Sequence, residues 1–262
     1  MIVSLLTGRK GSVGFPEKHF CNVGGHYLAY YPMRALKECS SIDANYISTD
    51  DERLMEMARE NGIKVIERPS NLATDEALSE DVFIHGYDAI KQLNEKNEIE
   101  IVVLLMCNAA TISASLIDEG IKVLQENPDY DSAVTVSSYN MWSPVRARTI
   151  GDDNLLHPFI PFETLDSLNI DCNSSRDTQG KVWFADMGVS VVRSRCIENI
   201  WEGLLPQRWM GKKIFPLKQE MGLDVDYKWQ LSQVEEWLEL YGDKEEKKEK
   251  KGRTIDCDGY FL

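Results

Sequence analysis

The stretch IEIVVLLMC, residues 99–107, limits the fold more than any other part of the chain. It is apolar at consecutive positions, so both faces of a strand would be buried. Only a sheet covered on both sides hides such a strand from water. IVSLL, at the start of the chain, has the same character. Segments with helical spacing lie around these two runs. They are YLAYYPMRALKEC, with Pro32 near its start, ERLMEMARENG closed by Gly62, SEDVFIHGYDAIKQL with Ser79 as its expected N-cap, and SASLIDEGIKVLQEN. NYISTDD, KVIERP (stopped by Pro69), SAVTVSSYN and MGVSVVRS read as further strands, and IENIWEGL and QLSQVEEWLELYG as further helices. The alternation predicts an α/β fold: one domain over residues 1–241, a Rossmann-like open sheet with ligands at the C-terminal ends of its strands.

Two segments depart from the pattern. Residues 140–182 are polar and mixed, and read as a hairpin or arm, or as an insertion covering a substrate. Residues 242–262 read as a charged linker and tail. DKEEKKEKKG sets five lysines against four acids, as a solvated helix extension or linker would, and the final YFL is apolar enough to dock on the body or on a partner.

Charge narrows the function classes. With 43 acidic against 29 basic residues the formal net charge is −14, which argues against nucleic acid or an anionic membrane as partner. A phosphate site would have to be a local basic island. The six cysteines, at 21, 39, 107, 172, 196 and 257, form no C-x-x-C pair or zinc pattern and are expected to be reduced thiols. No apolar run reaches the ~18 residues of a membrane span. MIVSLLTG is too short for a secretion-signal core, so a cytoplasmic location is expected. His26, His85 and His157 match no motif and are expected in structural or surface roles; Trp201, Trp209 and Trp237 are expected in the core or an interface.

The basic island is TGRKGSVGFPEKH, residues 7–19, directly after the first strand. Glycines let backbone N–H groups approach phosphate oxygens, and Arg9, Lys10 and Lys18 supply positive charge. The loop is neither a Walker loop nor G-x-G-x-x-G. On these grounds alone it is either a phosphate site or a solvated turn.

The order R-x-G-S-x-G-[apolar]-P-x-K, from Arg9 to Lys18, resembles the signature loop of the CMP-sugar-acid synthetases, the acylneuraminate cytidylyltransferases and their relatives. Four more stretches agree in order: ISTDD (47–51), ERPSNLATDEALSED (67–81), SRDTQGKVWFADMG (175–188) and MGKKIFPLKQEMGLDVDYKWQL (210–231). The resemblance covers about residues 1–240. It implies a sheet of the nucleotide-diphospho-sugar transferase type with a protruding dimerisation arm at about 140–175.

The same resemblance implies residue roles. Arg9 and Lys18 match triphosphate ligands, Ser12 a loop contact, and Arg68 and Ser79 positions near the cytidine. Asp224 and Asp226 fall on the family's carboxylates for Mg2+, the expected cofactor; a D-x-D at a strand end would point both to one face. Arg176, Trp183 and Asn108 are the expected acceptor contacts. Three departures stand out. The family's S-K-G lysine is Val13, with Lys10 able to supply charge from another angle; its K-N is Lys18-His19; and its Q-P-T-S-P-L-R is MCNAATIS, residues 106–113. The nucleotide half is thus kept better than the sugar half.

The expected activity is Mg2+-dependent transfer of CMP from CTP to an acidic sugar of the nonulosonate or sialic-acid type, for surface glycans, by a homodimer. The alternatives are CTP-dependent activation of another acidic acceptor such as a phosphonate, a glycosyltransferase using D-x-D, and a non-catalytic homologue that binds CTP. Arg9 and Lys18 favour an intact triphosphate over a nucleotide sugar, and their retention with Asp224 and Asp226 speaks against loss of catalysis.

Overall fold

The computed structural model describes residues 1–11, 14–168, 170 and 173–242. The contact expected of Ser12, the position of Val13, Cys172 and the tail at 243–262 lie outside the described residues.

The first half of the chain is built around β1 (Ile2–Thr7). A small hairpin, β2 (Asn22–Val23) and β3 (His26–Tyr27), leads into α1 (Tyr30–Glu38). Then come β4 (Ala44–Thr49), α2 (Glu52–Glu60), β5 (Lys64–Glu67), α3 (Ser79–Leu93), β6 (Ile101–Met106) and α4 (Ala114–Glu126). The second half adds β7 (Ser132–Ser138), a hairpin of β8 (Arg148–Ile150) and β9 (Leu156–Pro158), and α5 (Phe162–Ser167). It closes with β10 (Trp183–Arg193), α6 (Ser194–Glu198), β11 (Ile214–Lys218) and α7 (Gln230–Tyr241).

Seven strands form one sheet in the order β11-β7-β10-β6-β1-β4-β5. All neighbours are parallel except β10, which runs antiparallel to both β6 and β7. Strand alternation divides the core in two. Leu6, Ile101, Val103 and Leu105 pack with α1, α2 and α4 on one face, while Val3, Leu5, Val102 and Leu104 pack with Phe83, Tyr87 and Ile90 of α3 on the other. The consecutive apolar residues of β1 and β6 are therefore buried on both sides, as the open α/β sheet requires. A third cluster seats α7, through Val234, Trp237 and Leu238, against Val23, Leu28, Tyr31 and Val225.

The topology fixes where a ligand can enter. From β1 the chain builds outward to β4 and β5, then returns across β1 to form β6 on its other side. The crevice beyond the C-terminal ends of β1 and β6 is thus the switch point of the sheet.

Several local readings change. The N-cap of α3 is Leu78, and Ser79 is the first helical residue, with no cap bond from its side chain. IENIWEGL breaks at Asn199 into α6 and a 3-10 turn, Ile200–Glu202. Asp224 and Asp226 do not end a strand: β11 stops at Lys218, and the pair lies in an irregular segment before α7. The 140–182 excursion contains two 3-10 turns, the β8–β9 hairpin and α5, and exposes Met141, Trp142, Ile150, Leu156, Phe159 and Phe162.

Candidate active site

At the switch point lies a cavity of about 240 Å³, and Arg9, Lys18, Arg68, Ser79, Asn108, Asp224 and Asp226 all line it. Residues more than 200 positions apart in the chain thus meet around one volume. Local structure explains how each arrives there.

The loop after β1 starts at Gly8, where a Cβ would stand 2.7 Å from both Cys107 Sγ and Leu54 Cδ1. Only glycine lets the chain leave β1 so close to the end of β6. Gly11 follows at φ 72°, in the left-handed region. The guanidinium of Arg9 is paired with Asp75, and Lys18 Nζ donates to Asp226 Oδ1 at 2.7 Å. Lys10 does not line the cavity; its backbone N–H donates to Asp50 Oδ1 at 2.7 Å and it is exposed.

Arg68 enters from the end of β5 and is buried, donating through Nη2 to Ser48 O (2.6 Å) and through Nε to Ser48 Oγ (3.3 Å). Burial pulls its pKa down, and Arg9 pushes the same way. Beside it, Ser79 makes no side-chain cap bond, so its hydroxyl stays free to meet a ligand.

The acidic side of the crevice is set by Asn108, just past β6. Its amide donates to Val225 O (3.1 Å) and to Asp224 Oδ2 (3.3 Å), and its carbonyl accepts from Val225 N (2.9 Å). Thr111 grips the same segment through Leu223, donating to its carbonyl at 3.0 Å and accepting from its N–H at 2.8 Å. Val225 is fully buried in the cluster under α7. With this one side chain anchored inward, both flanking aspartates reach the cavity. The Gln230 side chain accepts from the N–H groups of Asp226 and Tyr227, both at 2.7 Å, which ties the pair to the start of α7. Burial raises the Asp224 pKa, and the nearby charge of Asp226 raises it further.

Two acceptor candidates lie elsewhere. Arg176 lines a second cavity, about 560 Å³, with Ser138, Tyr139, Asn140 and Lys181. Its side chain is 68% exposed and pairs with neighbouring Asp177 at 3.4 Å. Trp183, at the start of β10, has the Lys218 and Lys181 ammonium groups 5.3 and 6.0 Å from its ring centroid. Asp186, near the end of the SRDTQGKVWFADMG stretch, is buried and accepts from Ser137 Oγ (2.7 Å), Gln219 Nε2 (3.0 Å) and Gly188 N (3.1 Å). It clasps β7, β10 and the segment after β11.

The sequence reading noted His19 only as a departure at the family's K-N and gave Asp75 no role, yet both line the crevice. His19 is 7% exposed, and its pKa is pushed down to about 4 by burial first, then by Lys18, Arg68 and Arg9. The signal for it was its place directly after Lys18, in the 3-10 turn Lys18–Phe20.

Comparison with known proteins bears on the family and the fold. The chain is 28% identical over 138 residues to an N-acylneuraminate cytidylyltransferase of Streptococcus agalactiae, covering 52% of this chain and 32% of that protein. It is 26% identical over 132 residues to a 3-deoxy-manno-octulosonate cytidylyltransferase of Bdellovibrio bacteriovorus, covering 50% and 49%. With N-acylneuraminate cytidylyltransferase A of Danio rerio it shares 24% identity over 230 residues, covering 86% and 48%. The chain thus spans less than half the length of each of these relatives. Among solved structures, a CMP:2-keto-3-deoxy-manno-octonic acid synthetase complexed with CTP superimposes with a TM-score of 0.62 at 15% identity, covering 91% of this chain and 98% of that one. A 4-diphosphocytidyl-2C-methyl-D-erythritol synthase of Anaerococcus prevotii gives 0.60 at 12%, covering 91% and 96%. At such identities the likeness speaks for the fold. A cytidylyltransferase family model matches residues 3–150, which include β1, its basic loop, Arg68 and Asn108. Matched over more than half its length, the chain belongs to the cytidylyltransferases, a family of nucleotidyltransferases.

Proposed function

We propose that the protein transfers CMP from CTP to an acidic sugar of the nonulosonate type, with Mg2+ as cofactor and pyrophosphate as the second product. One observation carries this reading: Arg9, Lys18, Arg68, Asp224 and Asp226 all line one crevice at the switch point of the sheet. In a chain of net charge −14 the crevice gathers three cations against three carboxylates, so its cations suit a polyphosphate and its carboxylates a divalent cation.

In the free protein Arg9 and Lys18 are held by Asp75 and Asp226. A triphosphate would take over these donors, and charge-assisted hydrogen bonds would then orient its oxygens. Arg68 and Ser79 lie where the nucleoside would be read. The reaction forms a bond from an acceptor oxygen to the α-phosphorus and breaks the bond to the β-phosphate bridge. The protein's part is to position these groups and to neutralise charge.

The acidic pair fits a hard divalent cation. Two carboxylates line one cavity, and the Asp224 pKa is raised first by burial and then by the Asp226 charge, a cost that a bound cation would offset. Mg2+ commonly takes one or two carboxylates together with phosphate oxygens and water. Asp224 and Asp226 would hold it, with Asn108 keeping Asp224 in place, and it would supply charge neutralisation at the phosphates.

The acceptor half is more open. The 106–113 segment offers buried Ala109, Ala110 and Thr111 and no cation, so the acceptor's acid needs another partner. Arg176, with Trp183 nearby, is our candidate. Lys181 lines the same cavity as Arg176, and two cations also suit a dianion, which favours a phosphonate as the second acceptor class. We place the 140–175 arm, with its exposed apolar side chains, at a homodimer interface, and the enzyme in the cytoplasm, where CTP is available. Pyrophosphate release from CTP and Mg2+, measured with sialic, legionaminic, pseudaminic and octulosonic acids and simple phosphonates, tests the reading. Release with none of them would sink it.

A further inference from the structure

Among the described residues, His19 is the one imidazole that lines the crevice, and it stands where the resembling family carries the asparagine of its K-N. Its residue is more than nine-tenths buried, it lines the cavity, and its ring makes no hydrogen bond among the described residues. Three cations line the same cavity and act on the ring: Lys18 on its own turn, Arg68 from the end of β5 and Arg9 from the end of β1. Asp224 and Asp226 line the same cavity, Asp226 with the Lys18 ammonium against it, and Asp75 answers Arg9. Such surroundings suit a neutral ring in the free protein and invert when a polyanion enters. The anion cancels the three positive charges and offers acceptor oxygens to a ring N–H.

We propose that His19 is a phosphate-binding residue of the nucleotide site, neutral in the free protein, that takes up a proton when a triphosphate enters and donates a hydrogen bond to it. The proposal rests on the nucleotide reading above but concerns only the polyphosphate. The proton comes from solvent and returns there when the product leaves. The shift in the free protein, down to about 4, has the sign this requires: the crevice holds the ring neutral until negative charge arrives. Binding then draws in protons at pH values between the free and bound pKa of the ring.

The test uses the full chain with two probes, CTP with Mg2+ and inorganic tripolyphosphate. NMR titration of the four histidine rings gives the His19 pKa in the free and bound protein, with no need of a variant. The expected result is a rise of at least ~1 unit with both probes. Calorimetry at pH 5.5 in buffers of different ionisation enthalpy gives the protons taken up, and wild type should exceed His19→Asn by roughly 0.2 proton per ligand or more. The variant subtracts the phosphate's own titration. A rise with tripolyphosphate where CTP does not bind keeps the His19 assignment and defeats the nucleotide reading. A bound polyphosphate with the His19 pKa unmoved, or equal proton counts in wild type and His19→Asn, overturns the proposal, as does failure of both probes to bind.

Discussion

The crevice at the ends of β1 and β6 and the excursion at 140–182 are opposites in construction. In the crevice every charged side chain has a partner or a reason for its burial: Arg9 on Asp75, Lys18 on Asp226, Arg68 on Ser48, Asp224 on Asn108. In the excursion, among the described residues, the Arg176 guanidinium pairs only with neighbouring Asp177, and Trp142 and Leu156 are 65% and 71% exposed. The first region is completed by its own chain, whereas the second has the surface of something still to be covered. On the proposed roles, the region for nucleotide capture and the region for acceptor capture are built to different degrees within one chain, so mutations should separate them.

The largest effect is expected at the acidic pair. Asp224→Asn or Asp226→Asn should lower kcat by ~100-fold or more. Asp224→Asn should also melt at the same or a higher temperature than wild type at pH 7. The sign follows from the raised pKa: the native state holds the proton longer than the unfolded state, so wild-type stability falls as pH rises through the native pKa, and asparagine removes that fall. Full activity in both variants would make the pair a solvated turn. Next is Lys18→Ala, which removes a phosphate donor and leaves Asp226 uncompensated; the CTP KM should rise roughly 10- to 100-fold.

Arg176→Ala comes third. The acceptor KM should rise ~10-fold with CTP binding nearly unchanged, and Arg176→Lys should recover part of it, since a point charge lacks the guanidinium fork. An unchanged acceptor KM would remove Arg176 from the site. The smallest effect on stability, within about 0.5 kcal/mol, is expected from Leu156→Glu, because the side chain is exposed in the monomer. The same change should convert a dimer to monomers in light scattering. A monomeric wild type would break the idea that the excursion is an interface.

What could be read from the sequence follows the same divide. β1 and β6 announce themselves by consecutive apolar residues, and α1 to α4 by helical spacing, because a covered parallel sheet demands those patterns. β11 gives no such signal: IFPLK is short and contains Pro216, which an edge strand tolerates and a central one does not. The basic loop and D-x-D were visible as charges, but not what seats them, since Asn108 and Val225 act through contacts made more than a hundred residues apart. The Ser79 boundary slipped by one position because the backbone there caps without a hydroxyl. His19 was visible as a letter, while its burial among three cations exists only after folding.

The central claim, that one chain completes the nucleotide site on its own, is tested most directly by calorimetry with CTP, ATP, GTP and UTP, each with Mg2+ and without acceptor, on wild type and Arg176→Ala. The account predicts that CTP binds well ahead of the other three, with the same Kd in both proteins. Equal affinity for ATP, or CTP binding that is lost in Arg176→Ala, would contradict it.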